Sequence, residues 1–282
     1  MPVIASASDL PPDFAKARVL FEATKRLKFA EIPAVDLKDR ISVLTIASGL
    51  RKAGVLETWG QRLPRTRDLM ISQGLFTSVA TCVWSRIERP SQMPYAAVLQ
   101  ALDEKRVAGK PKHVLWLYDS AESREMHRMP SFTQQQAGTL LQYPSCCVEF
   151  ESGFMSKWSQ ANLEHLITTI GEDEEKLLAA VGRMRKFPDL KIPLPDNGLR
   201  TERQFPFALH VACDSCLSTP GSPSHLVNTR YSDLVREVSP DLHAVIEKIQ
   251  GIYGSIERGQ DNNRDLLIQI RVLHNAFFEQ AH

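Results

Sequence analysis

The sequence predicts a predominantly helical α+β fold with a small β-sheet whose strands run parallel. Three observations carry this expectation. Most apolar residues recur at helical spacing, two short segments are rich in β-branched and aromatic residues, and a segment of helical spacing separates those two. With 282 residues and 43% hydrophobic content, the chain can bury a substantial core. A mixed region, 1–130, is expected to hold the sheet. An α-rich region, 131–282, carries most of the cysteines, and the two are compatible with one compact domain.

Taken in order, Phe14, Ala17 and Phe21 follow Pro11 and Pro12 at helical spacing and predict a first helix. The stretch 35–54, VDLKDRISVLTIASGLRKAG, predicts a second helix ending at Gly54. LFTSVATCVW (75–84) and HVLWLYDS (113–120) read as strands, and YAAVLQALDEKRVAGK between them reads as a helix. A strand–helix–strand order of this kind is the basis for parallel pairing. Beyond Asp119 the stretches 131–142, 144–158 and 173–187 read as helices, the last with Leu177, Val181 and Met184 on one face. Residues 187–206 contain four prolines and little periodicity, which predicts a long connection. Ser239 then caps a helix with Pro240 at its first position and Leu242, Val245, Ile246 and Ile249 as its buried stripe. A final helix carries Leu266, Ile270, Leu273 and Phe277 on one side.

The 34 basic and 33 acidic residues nearly cancel, so no global field recruits nucleic acid or an acidic membrane. The basic stretch 182–191 is the one segment that offers a nucleic-acid backbone local charge, and a solvated helix end is its ordinary reading. No apolar run is long enough for a membrane span, and the first residues lack the pattern of a secretory signal. The expected location is the cytoplasm. P-loop, dinucleotide-binding, nucleophile-elbow and HExxH signatures are missing.

The chemistry concentrates in the cysteines, five in all. That number is odd and unevenly spaced, which argues against a disulfide scaffold and for metal or thiol chemistry. Cys146 and Cys147 adjoin in LQYPSCCVEFE, and Cys213 and Cys216 form a CxxC preceded by His210. After Pro144 the first pair falls in the first turn of a helix, where free N–H groups and the dipole favour thiolate. The CxxC spacing lets one local segment hold a metal with two sulfurs. Adjacent side chains diverge by roughly 100° on a helix and about 180° on a strand. Two vicinal ligands therefore point to an iron–sulfur cluster, in which they end on different irons. If only one of them ligates, a zinc site of three cysteines with His210 as the alternative ligand fits equally well. A thiol–disulfide pair in which Cys213 attacks and Cys216 resolves, and four merely packed cysteines, stay open. Cys82, within a strand, reads as packing.

The residues Tyr143, Pro144, Cys146, Cys147 and Phe150, followed by His210, Cys213 and Cys216, resemble an uncharacterised prokaryotic family. Its members carry a Tyr-Pro-x-Cys-Cys-x-x-Phe motif and a downstream His/Cys cluster, and the resemblance implies no activity. The order of Cys82, Cys146, Cys147, Cys213 and Cys216 is also similar to the cysteine-rich domain of heterodisulfide reductases, which implies iron–sulfur ligation. Here the gaps are longer, and a valine stands where a glycine follows the pair.

Glu149, on the face of Cys146, is a candidate base or supporting acceptor, and His210 a candidate catalytic neighbour. Asp214 is expected to bond backbone amides within its turn, while His225 and Arg230 either face a substrate or sit on an exposed helix start. His165, His243 and His274 are expected at the surface or its boundary. The leading expectation is an iron–sulfur enzyme of open reaction class, acting on a small-molecule substrate or with a redox partner. Cys146, Cys147, Cys213 and Cys216 would be its ligands. A zinc-binding structural or interaction protein and a CxxC oxidoreductase are the alternatives.

Overall fold

A computed structural model describes residues 11–58, 62–81, 92–106, 113–128, 134–184, 196–256 and 263–280. Helix α1 (Phe14–Thr24) starts after the two prolines, with the Asp13 carboxylate accepting from Lys16 N–H at 2.9 Å. Helix α2 (Pro33–Ala47) has proline in its first turn, where the missing N–H costs nothing. It ends well short of the expected Gly54, because Gly49 adopts φ 75° and turns the chain out of the helix. The chain then forms strand β1 (Ala53–Leu56), too short for its periodicity to show in the sequence. Gly54 lets β1 press against α2, since a Cβ there would collide with Ser42 and Ile46.

Helix α3 (Arg62–Ser72), strand β2 (Phe76–Thr81), helix α4 (Ala96–Arg106) and strand β3 (His113–Tyr118) follow. The sheet order is β1-β3-β2, and both pairings are antiparallel, with Ala53 and Phe76 each opposite Tyr118. Parallel pairing is thereby corrected. A parallel crossover requires its helix to lie across the sheet. Here α4 turns away, packing Val98, Leu99 and Leu102 against the helices α7 (Ser145–Ile170) and α8 (Glu174–Arg183). The strand β3 alternates as pleating requires: Leu115 and Leu117 face one core, Val114, Trp116 and Tyr118 the other.

Helices α5 (Ala121–His127) and α6 (Gln134–Leu140) precede α7. Of the expected connection 187–206, residues 187–195 lie outside the described residues, and the second half forms helix α9 (Asn197–Gln204). Its short, charged sequence hides the helix, which is held by tertiary bonds described below. Then come α10 (Asp214–Ser218), α11 (Pro223–Val238), α12 (Pro240–Ser255) and α13 (Asn263–Gln280). Ser239 Oγ caps α12 by accepting from Leu242 N–H at 3.2 Å, as expected. The largest core joins Phe21 of α1, Ile41 of α2, Leu117 of β3, Val235 of α11, Ile246 of α12 and Phe277 of α13. Among the described residues, no helix is long and apolar enough to cross a membrane.

Two histidines expected near the surface are buried. His274 is 0% exposed, and its Nε2 lies 3.0 Å from the Asp36 carboxylate, which also takes Arg40 Nε at 2.9 Å. His243 pairs with Ser232 Oγ at 2.9 Å and stacks on Phe207. In both cases a polar partner inside the core replaces water, a feature that helical spacing cannot display. His165 is exposed.

Candidate metal centre

Two segments far apart in sequence build the site. The first is the entry into α7. Helix α6 closes through Gln142 at φ 54°, with Tyr143 N–H donating to Gly138 O at 2.9 Å. Gly138 allows the two helices to meet, because a Cβ there would run into Val148. Pro144 stands just before the helix in an extended conformation, and Cys146 and Cys147 occupy its first turn. The second segment is the short helix α10. Cys213 sits at its N-cap and Cys216 within it, so the CxxC is wrapped by a single turn.

Helix α9 holds this second segment in place. Asn197 Nδ2 donates to Ala212 O at 3.0 Å and to Asp214 Oδ1 at 3.2 Å, and Ala212 N–H donates to Thr201 Oγ1 at 2.9 Å. Asp214 also takes Arg200 Nη1 at 3.3 Å. Its partners are thus side chains of α9 rather than the amides of its own turn, because α9 packs directly beside α10. On the far side, Ser222 donates to Cys216 O at 2.8 Å while capping α11.

The sulfurs meet. Cys146 Sγ lies 3.9 Å from Cys147 Sγ and 3.6 Å from Cys216 Sγ, and Cys147 Sγ lies 3.7 Å from Cys216 Sγ. All four sulfurs, including that of Cys213, fall within 4.8 Å of one another, a group that can hold a metal ion. Cys147, Cys213 and Cys216 are buried and Cys146 is partly open. The vicinal sulfurs, expected to diverge too far for both to reach one ion, lie 3.9 Å apart within this group. Each has one free side-chain torsion, and turning the two Sγ atoms toward each other closes the helical divergence.

The electrostatics also depart from expectation. Burial, reinforced by hydrogen bonds with Cys216 and Cys213, pushes the Cys146 thiol up to about 11. Burial raises Cys147 further, despite the hydroxyl of Ser224 and the N–H of Cys213, which donates to its sulfur at 3.4 Å. The helix terminus does not win at these two positions, since its partial charge is small against desolvation. Cys216 is the exception. Burial alone would raise it, but hydrogen bonds from Ser224 and from the Cys146 and Cys147 thiols outweigh this and lower it to about 7. Cys216 is thus lowered where the two cysteines at the start of α7 are raised.

His210 does not join the sulfurs. Its Nε2 shares a hydrogen bond of 2.8 Å with Ser224 Oγ, which lies 3.4 Å from Cys147 Sγ. The imidazole stands behind Ser224, whose hydroxyl lies between it and Cys147. Burial, with Lys38 and Arg51 nearby, holds His210 down at about 3, so it is neutral. Glu149 is exposed, as are His225 and Arg230, and none of the three belongs to the cysteine group. Cys82 lies outside the described residues, as does most of the basic stretch 182–191.

Sequence reasoning missed Ser224, Arg51, Asn197 and Thr201. Only Ser224 carried a signal, as a serine in the first turn after the Ser222–Pro223 helix start. The chain matches no protein-family profile, no curated protein and no solved structure.

Proposed function

We propose that the protein is a cysteine-ligated metalloprotein in which Cys146, Cys147, Cys213 and Cys216 bind one metal ion, zinc in the first instance. The sulfur spacing carries this reading. Four thiolates bound tetrahedrally at about 2.3 Å stand about 3.8 Å apart; the sulfurs of Cys146, Cys147 and Cys216 stand 3.6 to 3.9 Å apart, and that of Cys213 lies within 4.8 Å of each. Four sulfurs without carboxylates suit zinc or iron rather than magnesium or calcium. Four protein ligands leave no open position, so the ion would clamp the start of α7 to α10 and contribute directly to folding energy.

The iron–sulfur cluster suggested by the cysteine doublet requires wider spacing, because each thiolate would end on a different iron. We place it second for that reason. The thiol–disulfide reading draws on a different observation, the lowered Cys216 thiol 3.6 Å from Cys146, the most accessible of the four.

Metal analysis of protein purified without added metal or chelator separates these readings. The expected result is one zinc per chain, lost when Cys147 or Cys216 is changed to serine. Iron with matching acid-labile sulfide would overturn the single ion in favour of a cluster. Metal-free protein that cycles between thiol and disulfide would overturn both.

A further inference from the structure

Two arginines rank among the largest fully buried side chains, and they differ in one respect. Arg40 is 2% exposed and pairs with Asp36 at 2.9 Å. Arg51 is 1% exposed, yet among the described residues no carboxylate pairs with it. Its Nε donates to Leu141 O at 3.0 Å, its Nη1 reaches Ser42 Oγ at 3.4 Å, and its Nη2 has no hydrogen-bond partner. The guanidinium lies over the Tyr143 ring at 5.3 Å, a cation–π contact that offsets part of the charge. A guanidinium cannot shed its proton, and an isolated buried cation is strongly disfavoured. Negative charge elsewhere in the same interior has to balance it.

From Tyr143 the contacts lead to sulfur. The Tyr143 ring lies 5.4 Å from the His210 ring, His210 meets Ser224 at 2.8 Å, and Ser224 meets Cys147 Sγ at 3.4 Å. Arg51 also helps hold His210 neutral, so its field reaches that ring. Protonated thiols supply no counter-charge. Four thiolates around a divalent ion carry a net charge of minus two, buried in the same low-dielectric region where screening is weak.

We infer that Arg51 is the buried counter-charge of the cysteine centre, a residue that favours the thiolate–metal state across Tyr143 without touching the metal. This rests on the metal-binding reading above. Through its bond to Leu141 O the same side chain holds the turn that leads into Cys146 and Cys147, so charge and placement act together. The two roles separate by experiment.

Zinc affinity is measured by competition with a chromophoric chelator for the wild type, Arg51→Lys, Arg51→Met and Arg51→Gln, alongside melting curves with and without zinc. Methionine and glutamine remove the charge, glutamine keeping a donor for Leu141, while lysine keeps the charge. The neutral variants should bind zinc roughly tenfold to a hundredfold more weakly, the scale of one charge acting on a dianion at intermediate dielectric. Lysine should stay close to the wild type. The neutral variants should also lose more stability in the zinc-loaded state than in the metal-free state. Equal losses in the two states, or affinity unchanged in the glutamine variant, would overturn the counter-charge role and leave Arg51 a contact residue. Should methionine prevent folding, the glutamine and lysine pair decides the matter. A wild type with four free thiols and no zinc affinity fails differently, by removing the centre itself.

Discussion

Replacing Asp36 with asparagine should destabilise the protein by about 3–5 kcal/mol, the cost of removing one partner of a buried ion pair. The structure supplies the reasons. Asp36 is 0% exposed; its Oδ1 accepts from Phe29 N–H at 2.6 Å and Ala30 N–H at 3.3 Å, and its Oδ2 faces Arg40 Nε at 2.9 Å and His274 Nε2 at 3.0 Å. An asparagine oxygen can keep the two backbone bonds, but its NH2 would meet the Arg40 donor head-on. That leaves a guanidinium in the core among Phe29, Phe277 and Phe278 with only the carbonyls of Thr24 and Leu27 to receive it. Urea denaturation at about pH 7 measures the loss, which is large against the roughly 5–15 kcal/mol that holds a typical domain together. Adding Arg40→Met should recover part of it, since the unpaired charge is then gone and methionine suits the aromatic surround. The double mutant should be less unstable than the sum of the singles by about 1–3 kcal/mol. Simple additivity would refute the argument that the unpaired charge is what destabilises the single mutant. There is a pH signature as well. Burial alone would raise the Asp36 carboxyl, but the His274 hydrogen bond and the Arg40 charge outweigh it and hold it below its usual value. A depressed folded pKa contributes stability above the unfolded value of about 3.9 and loses it as pH falls through the folded one. The asparagine variant lacks that contribution, so its stability gap from the wild type should narrow in acid.

If the proposed zinc ion is bound, removing it with a chelator should lower stability by about 4 kcal/mol, taking the ion as a cross-link over the 70 residues between Cys146 and Cys216. Coincident urea curves with and without metal would contradict it. Ser224→Ala should raise the Cys216 thiol from about 7, because the hydroxyl bond that lowers it is lost. The alkylation rate of metal-free protein against pH reads this directly, and an unmoved midpoint would refute it. Gly138→Ala should cost about 1–3 kcal/mol by overpacking, since the new methyl group would run into Val148 at the α6–α7 crossing. Thermal melting of this variant should show the loss, and a rise in Tm would show that the helices part freely.

The helices were legible where one face is buried and the other wet. Leu242, Ile246 and Ile249 recur on α12 at the interval that its rotation dictates, and Ser239 and Pro240 mark its start. The misread elements share a cause: their conformation is set by what they touch. The short β1 lacks enough residues for a period, and α9 has a sequence rich in charge whose helix is tied to Ala212 and Asp214 across the loop. The sheet's direction depended on where α4 packs, and its apolar stripe is the same whether it covers a sheet or two helices. Polar residues inside the core misled most. His274 at helical spacing looks like a boundary residue until Asp36 is found beneath it.

Thiol identity is local chemistry, and the chain alone therefore determined which side chains could form the centre and placed one pair at a helix start. Whether those thiols share a pocket was decided by the meeting of α7 and α10, as were the lowered Cys216 and the serine between His210 and Cys147. Spacing in sequence governs which residues share a face of one element, whereas desolvation and charge pairing depend on the distances between elements.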